Sequence, residues 1–483
     1  RKESSAASDV YKRQGCIYGQ CFIGQRKVTN EFKVGGSTSM KELSNQNQNV
    51  AQEGIYSVKH LGLPKTLLLG FQHTFAMFGA TVLVPILTGL SVSTTLFMAG
   101  IGTLLFHLLS KGMVPAFLGS SFAFLGGYAA VAPLKDGVAD PIQLAYACGG
   151  VFVAGLVYLV VAAFIKAFGA KKVMRYFPPV VTGPIIIAIG LTLAPTAINN
   201  ASTNWLIAIV AVGIVIVCNI WGKGMVKIIP IMLGIVGAYI LALFMGEVDF
   251  TSVKEAAWLG VPLKTANFAK FNLSAIITIV PISLATMMEH IGDISAIGAT
   301  TGKNYIANPG LHRTLLGDGL ATSVSALFGG PANTTYGENT GVLALSKVYD
   351  PVVMRIAACI AIVLSFSPKF AAIVSSIPTA IIGGVSLILY GMISAIGVRN
   401  VVENTVDFTK SRNLIIAAVI LVSALGIQYQ YVYNEVGAQV INSGINFAIG
   451  GFDITLSGIA VAALAGILLN AILPGKDYEF KEE

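Results

Sequence analysis

Charge is the scarcest thing in this sequence. Only 11% of the 483 residues are Asp, Glu, Lys or Arg, less than half of the ~25% usual in a soluble domain. Hydrophobic residues make up 55% and mean hydropathy is +0.76. The chain therefore reads as a polytopic membrane protein. Cysteine is nearly absent as well. The five cysteines make no disulfide framework, since Cys148, Cys218 and Cys359 fall inside apolar spans and Cys16 and Cys21 precede them. No His-x-x-x-His pair, cysteine cluster or EF-hand loop occurs, so neither a metal centre nor any other cofactor is expected. The net charge of +8 does not imply nucleic acid, because the basic residues flank apolar spans and form no patch.

Residues 1–39 do not show the basic start and following apolar run of a signal peptide. Residues 1–39 instead look like a non-native extension, with Ser5 to Gln14 resembling translated sequencing-adaptor read-through, and Met40 is the expected start.

What is present is a series of apolar stretches of about 20 residues, the length that spans a bilayer. They are expected near 66–89, 92–110, 115–134, 141–165, 171–195, 204–222, 225–246, 272–300, 310–329, 331–347, 351–367, 371–397, 411–430 and 454–473, fourteen in all. Loops after even-numbered spans carry fourteen Lys and Arg, among them Lys166, Lys171, Lys172, Arg175, Arg399 and Arg412; loops after odd-numbered spans carry five. The positive-inside rule then puts both termini in the cytoplasm.

A weak internal repeat runs through these spans. Phe177-Pro178-Pro179-Val180-Val181-Thr182-Gly183 in span five parallels Ile377-Pro378-Thr379-Ala380-Ile381-Ile382-Gly383 in span twelve. Gly119-Ser120-Ser121-Phe122 in span three echoes Thr334-Thr335-Tyr336-Gly337 in span ten. Both pairs are seven spans apart, an odd offset, so the halves would have opposite orientation. Inverted repeats with interrupted helices mark secondary transporters.

Four carboxylates lie within or at the edge of apolar spans: Glu289, Asp293, Asp318 and Glu338. A charge at bilayer depth costs ~2.5–3.5 kcal/mol or more, so each is a functional candidate. Glu289 and Asp293 are four apart and share a helix face, while His290 points about 100° away. Two acids on one face in low dielectric repel, and burial disfavours both anions, which suits a site that loads and releases a proton. The plainer alternative is a polar knot tying span eight to its neighbours. Glu338 follows the irregular stretch Pro331–Gly337 and could also serve as a first-turn acid facing a helix dipole. Asp318 is expected near the cytoplasmic end of span nine in a structural role. His73, beside Gln72 in span one, either supports the site or is a buried structural histidine, and His107 and His312 look peripheral. An intramembrane aspartyl protease could use Asp293 and Asp318, but the Gly-x-Gly-Asp of that class is missing at Asp318, so no enzyme is expected.

The passages Gln72–Thr81, Gly119–Phe124, Glu289–Asp293, Asn308–Arg313 and Asn333–Asn339 together resemble the nucleobase–ascorbate transporter family (nucleobase–cation symporter 2), most of all its bacterial uracil-permease branch. The resemblance runs from about Gly62 to Leu473. It implies fourteen segments in two inverted repeats of seven, with short strands in spans three and ten. It implies a core domain of residues 66–165 and 272–368 and a gate domain of residues 166–246 and 369–473. Residues 247–271 would form an extracellular loop, and residues 40–65 and 474–483 cytoplasmic termini. It also implies uracil–proton symport by alternating access, and a homodimer. Carried over, Glu289 and Glu338 would bind the base, Phe122 and Gly337 would offer backbone N–H groups, and Tyr336 and Ala80 would line the pocket. His73 would support the site, and Asp293 or Glu289 would carry the proton. Purine-selective members tend to have Gln where Glu338 stands, which favours uracil over xanthine. Ser346 departs mildly from the family's usual Thr. Asp293 stands where some uracil carriers have His.

Overall fold

The computed structural model describes residues 54–135, 138–433, 439–442, 444–449 and 452–475. The expectations for residues 1–39 and 476–483, with Cys16 and Cys21, lie outside the described residues. Among those described, seven helices are long and apolar enough to cross a membrane, or eight if one bent pair counts as a span.

The chain opens with α1 (Leu63–Thr88) and α2 (Val92–Leu109). Gly89 ends α1 in the left-handed region at φ 79°, a conformation that costs other residues a steric penalty. Ser91 caps α2 by accepting from the Thr94 N–H. Next come β1 (Leu118–Ser120), α3 (Leu125–Val131) and α4 (Pro141–Phe168), the last capped by Asp140 on two N–H groups. Then follow α5 (Pro179–Ala201), α6 (Trp205–Ile220) and α7 (Pro230–Phe244). A long loop leads to α8 (Leu273–Ile279) and α9 (Ile282–Thr301), broken at Pro281, and then to α10 (Leu311–Leu327). The chain continues through β2 (Asn333–Thr335), α11 (Gly337–Ser346), α12 (Val352–Ser365), α13 (Pro368–Ser375) and α14 (Thr379–Glu403). It ends with α15 (Ser411–Gln428), two hairpins, β3 (Gln430–Tyr433) with β4 (Gln439–Asn442) and β5 (Ile445–Ile449) with β6 (Phe452–Leu456), and α16 (Gly458–Ile472).

Two boundaries differ from expectation for one reason. Spans five and twelve were expected from 171 and 371, yet α5 and α14 begin at Pro179 and Thr379. Pro178 (ψ 161°) and Pro378 (ψ 142°) are extended and start each helix. Proline has no N–H to continue a helix and pushes the residue before it out of the helical region. The hairpins also went unforeseen. Their signal is the alternation of Ile445, Phe447 and Ile449 before Gly450-Gly451, then Phe452, Ile454 and Leu456, a period of two and not of 3.6.

α5 and α14 pack antiparallel through glycines. Gly183 faces Val401 and the Gly397 carbonyl, Gly190 faces Ser394 and the Tyr390 carbonyl, and Gly383 faces Asn200 and Ala201. Small residues let helix backbones approach where lipid offers no hydrophobic drive for association. A Cβ on Gly383 would fall 2.1 Å from the Ala201 nitrogen. Gly383→Ala is therefore expected to destabilise the protein by ~1–3 kcal/mol or more, read as a lower unfolding temperature in detergent. Gly391→Ala, with nothing within 4 Å of its added carbon, is the neutral control.

Candidate functional site

The centre of the site is backbone, not side chain. β1 and β2 pair antiparallel, Leu118 with Thr335, Gly119 with Thr334 and Ser120 with Asn333. The pairing extends through Ser121 N–H to Ala332 O (2.9 Å) and Tyr336 N–H to Phe117 O (3.1 Å). All six strand residues are buried. Non-helical backbone survives at membrane depth only where its polar groups find partners. Here they do. Thr103 Oγ1 accepts from Leu118 N–H (2.9 Å) and donates to Leu118 O (3.2 Å). Thr322 donates to Asn333 O, and Asn333 Nδ2 donates to Met98 O (2.9 Å). Gly119 is obligatory in this crossing, since a Cβ would lie 2.6 Å from the Tyr336 ring.

Each strand runs into a helix start. Phe122 opens a helical turn leading into α3, and Gly337 opens α11 with Glu338 in its first turn. First-turn N–H groups lack partners within a helix, so both starts aim donors outward from the strand crossing. α9 supplies the facing acids. Glu289, Asp293, Gly337 and Glu338 are half-buried. A Cβ on Gly337 would lie 3.4 Å from Asp293 Oδ1, so α9 and α11 meet here. Glu338 lies within electrostatic reach of Glu289, and both lie within reach of Asp293. The cluster therefore sets carboxylate acceptors against helix-start donors. A planar ligand with both N–H and carbonyl groups would match it.

Behind these acids lies a second polar layer that the sequence did not disclose. Thr335 Oγ1 donates to Asp293 Oδ2 (3.0 Å) and sits 3.3 Å from His290 Nδ1. His290 Nδ1 is 3.5 Å from Asp318 Oδ2, which also accepts from Thr334 Oγ1 (3.4 Å). His290 and Asp318 are fully buried. Asp318 is thus not near a helix end: α10 begins at Leu311, which puts Asp318 about two turns inside and against β2. His290 does point away from Glu289, toward Thr335 and Asp318. The pattern to look for was Thr334-Thr335, two hydroxyls next to the acids of two different helices.

His73 is buried in α1, its Nδ1 3.3 Å from Asn339 Nδ2, which also donates to His73 O (3.4 Å). It holds the first turn of α11. The Tyr336 hydroxyl donates to Ser120 O (2.8 Å) and accepts from Thr81 Oγ1 (3.3 Å), which welds its ring to β1. Ala80 lies in α1, but its side chain is outside the described residues. His107, expected at the periphery, is buried, with Nε2 2.8 Å from Ala116 O; the turn after α2 folds back over it. Phe122 meets Tyr390 of α14 edge to face, ring centroids 5.8 Å apart. Both line a cavity of about 350 Å³ with Leu193, Asn199 and Gln428, which the acids do not reach. Among the described residues no His, Cys, Asp and Glu group is arranged to hold a metal.

The sequence profile of a permease family matches residues 64–432. The chain belongs to that family. The uracil permease of Bacillus caldolyticus is 43% identical over 423 residues, covering 85% of this chain and 92% of the relative. The uracil permease of Bacillus subtilis is 41% identical over 427 residues (83% and 91%), and that of Escherichia coli strain K12 is 38% identical over 421 residues (85% and 91%). Among solved structures, the transmembrane domain of the cyanobacterium bicarbonate transporter BicA has a TM-score of 0.51 at 17% identity, covering 76% of this chain and 99% of that one. The structure of SLC26A9 has a TM-score of 0.60 at 10% identity (93% and 72%). At these identities the likeness shows the fold alone. The permease is thus a multi-pass membrane protein on a mostly helical fold shared with these transporters.

Proposed function

We infer that this permease takes up uracil across the cytoplasmic membrane together with a proton, by alternating access. The observation that carries the reading is the pair of half-buried acids, Glu289 and Glu338, set on different helices beside two helix starts at the paired strands. Uracil offers two N–H donors and two carbonyl acceptors. Glu289 and Glu338 accept from its N–H groups; the backbone N–H groups of Phe122 and Gly337 donate to its carbonyls. Tyr336 and Ala80 bound the pocket, and His73 steadies α11 through Asn339. The names of the relatives support the substrate. A site built on such bonds rejects a wrong ligand by leaving buried groups unpaired.

In this reading the chain has fourteen spans in two inverted repeats, with both termini cytoplasmic. A core of residues 66–165 and 272–368 moves against a gate of residues 166–246 and 369–473, and two copies form a homodimer. Asp293, with Glu289, takes the proton. Two acids at the site repel an anion, which disfavours the anion exchange that the fold neighbours' names suggest; a purine or xanthine symporter is the closer alternative. Labelled uracil uptake is expected to be blocked by excess unlabelled uracil and hardly by xanthine. Stronger competition by xanthine would overturn the substrate. Accumulation in vesicles that survives a protonophore would overturn the symport.

A further inference from the structure

The segment after α12 and the loop after α7 form one rigid shelf. α13 turns off α12 by 90°. Only together are the two helices long and apolar enough to cross a membrane, and the bend breaks that span. The α7–α8 loop is stitched to this bend by two backbone bonds, Gly260 N–H to Phe366 O and Lys369 N–H to Ala257 O, both 2.9 Å. The Lys369 ammonium sits 5.0 Å over the Trp258 ring. Gly260 packs so closely on Pro368 that a Cβ would lie 2.6 Å from its ring. Thr94 Oγ1 donates to Pro262 O (2.6 Å), which ties the same loop to the start of α2.

This anchored stretch nevertheless holds its apolar side chains outward. Trp258 is 76% exposed, Leu259 79% and Val261 76%. Single exposed apolar residues are ordinary, but three within four residues, on backbone fixed at four points, are not. The loop cannot turn them inward without breaking those bonds. Tryptophan favours the membrane–water interface, where its ring is apolar and its N–H wet. The Lys369 ammonium over the Trp258 face makes a cation–π contact, which suits a ring at a polar–apolar boundary.

We propose that Trp258, Leu259 and Val261 insert into the headgroup layer of the bilayer, so that this shelf is a membrane anchor and its partner a lipid surface. The shelf joins α7 to α8 and α12 to α14. On the core-and-gate reading above, those are connections between the two domains, so the anchor sets the membrane depth of the hinge; this last point rests on that reading, the anchor itself does not.

The test is fluorescence quenching in phosphatidylcholine vesicles with bromine near the glycerol end of the acyl chains. The double variant Trp205→Phe/Trp221→Phe leaves Trp258 as the one tryptophan. Its emission is expected to fall by about half in bromolipid, the depth at which interfacial tryptophans sit, with little quenching by aqueous iodide. Quenching by iodide and not by bromolipid would overturn the proposal. Quenching by neither, as when a second copy or another protein covers the loop, would also overturn it. Should the double variant fail to fold, the loss of bromolipid quenching from the native chain to Trp258→Phe reads the same quantity. Uracil uptake measured alongside tests the functional reading separately, since lipid insertion is expected whether or not the substrate is uracil.

Discussion

Glu338→Gln is expected to cut uracil affinity by about 100-fold. The amide keeps the size of the side chain but exchanges one acceptor oxygen for a donor NH₂. At the start of α11 that donor meets the ligand's N–H head on. Losing a charge-assisted bond while leaving a buried donor unpaired costs ~3 kcal/mol, which is roughly 100-fold. Folding should be spared, because Glu338 is half-buried and His73 and Asn339 still hold the turn. Binding of labelled uracil to purified protein checks the loss, and a panel of purines checks whether preference moves toward them. Unchanged uracil affinity in the variant would remove Glu338 from direct recognition.

Asp293→Asn is expected to flatten the pH response of uptake while leaving binding within a few-fold. The amide can still accept from Thr335 Oγ1, the bond now 3.0 Å long, so the α9–β2 contact persists. It cannot bind a proton at that oxygen. In native vesicles uptake should rise as the outer medium is acidified. In the variant it should be level and about tenfold slower, a loss in the transport step and not in binding. Thr335→Val is the companion: it removes the hydroxyl that lies between Asp293 and His290 and should shift the pH profile without erasing it. A variant Asp293→Asn that keeps the native pH response would take Asp293 off the proton path.

Much of this was legible in the sequence because composition and period are local. Apolar runs interrupted by Gly and Pro predict spans, and Pro178 and Pro378 mark two matching helix starts, although the prolines themselves then displaced the expected boundaries by eight residues. The acids stood out because charge is rare here. The strand pair was implied by the family resemblance, yet its register is fixed by contacts between distant residues, such as Gly119 beneath the Tyr336 ring, where a Cβ would lie 2.6 Å away.

The sequence by itself determined the class of protein, the residues with chemistry to offer and the place where regular helix gives way. Those follow from free energies that each residue carries alone: the cost of charge in lipid and of proline in a helix. The tertiary structure decided which of those residues meet. Asp318 and His290 are 28 residues apart by number and 3.5 Å apart in space, because α10 and α9 both pack on β2. His73 finds Asn339 across most of the chain for a similar reason. Pairing between distant residues depends on how helices stack around a short buried strand, and no local pattern encodes that.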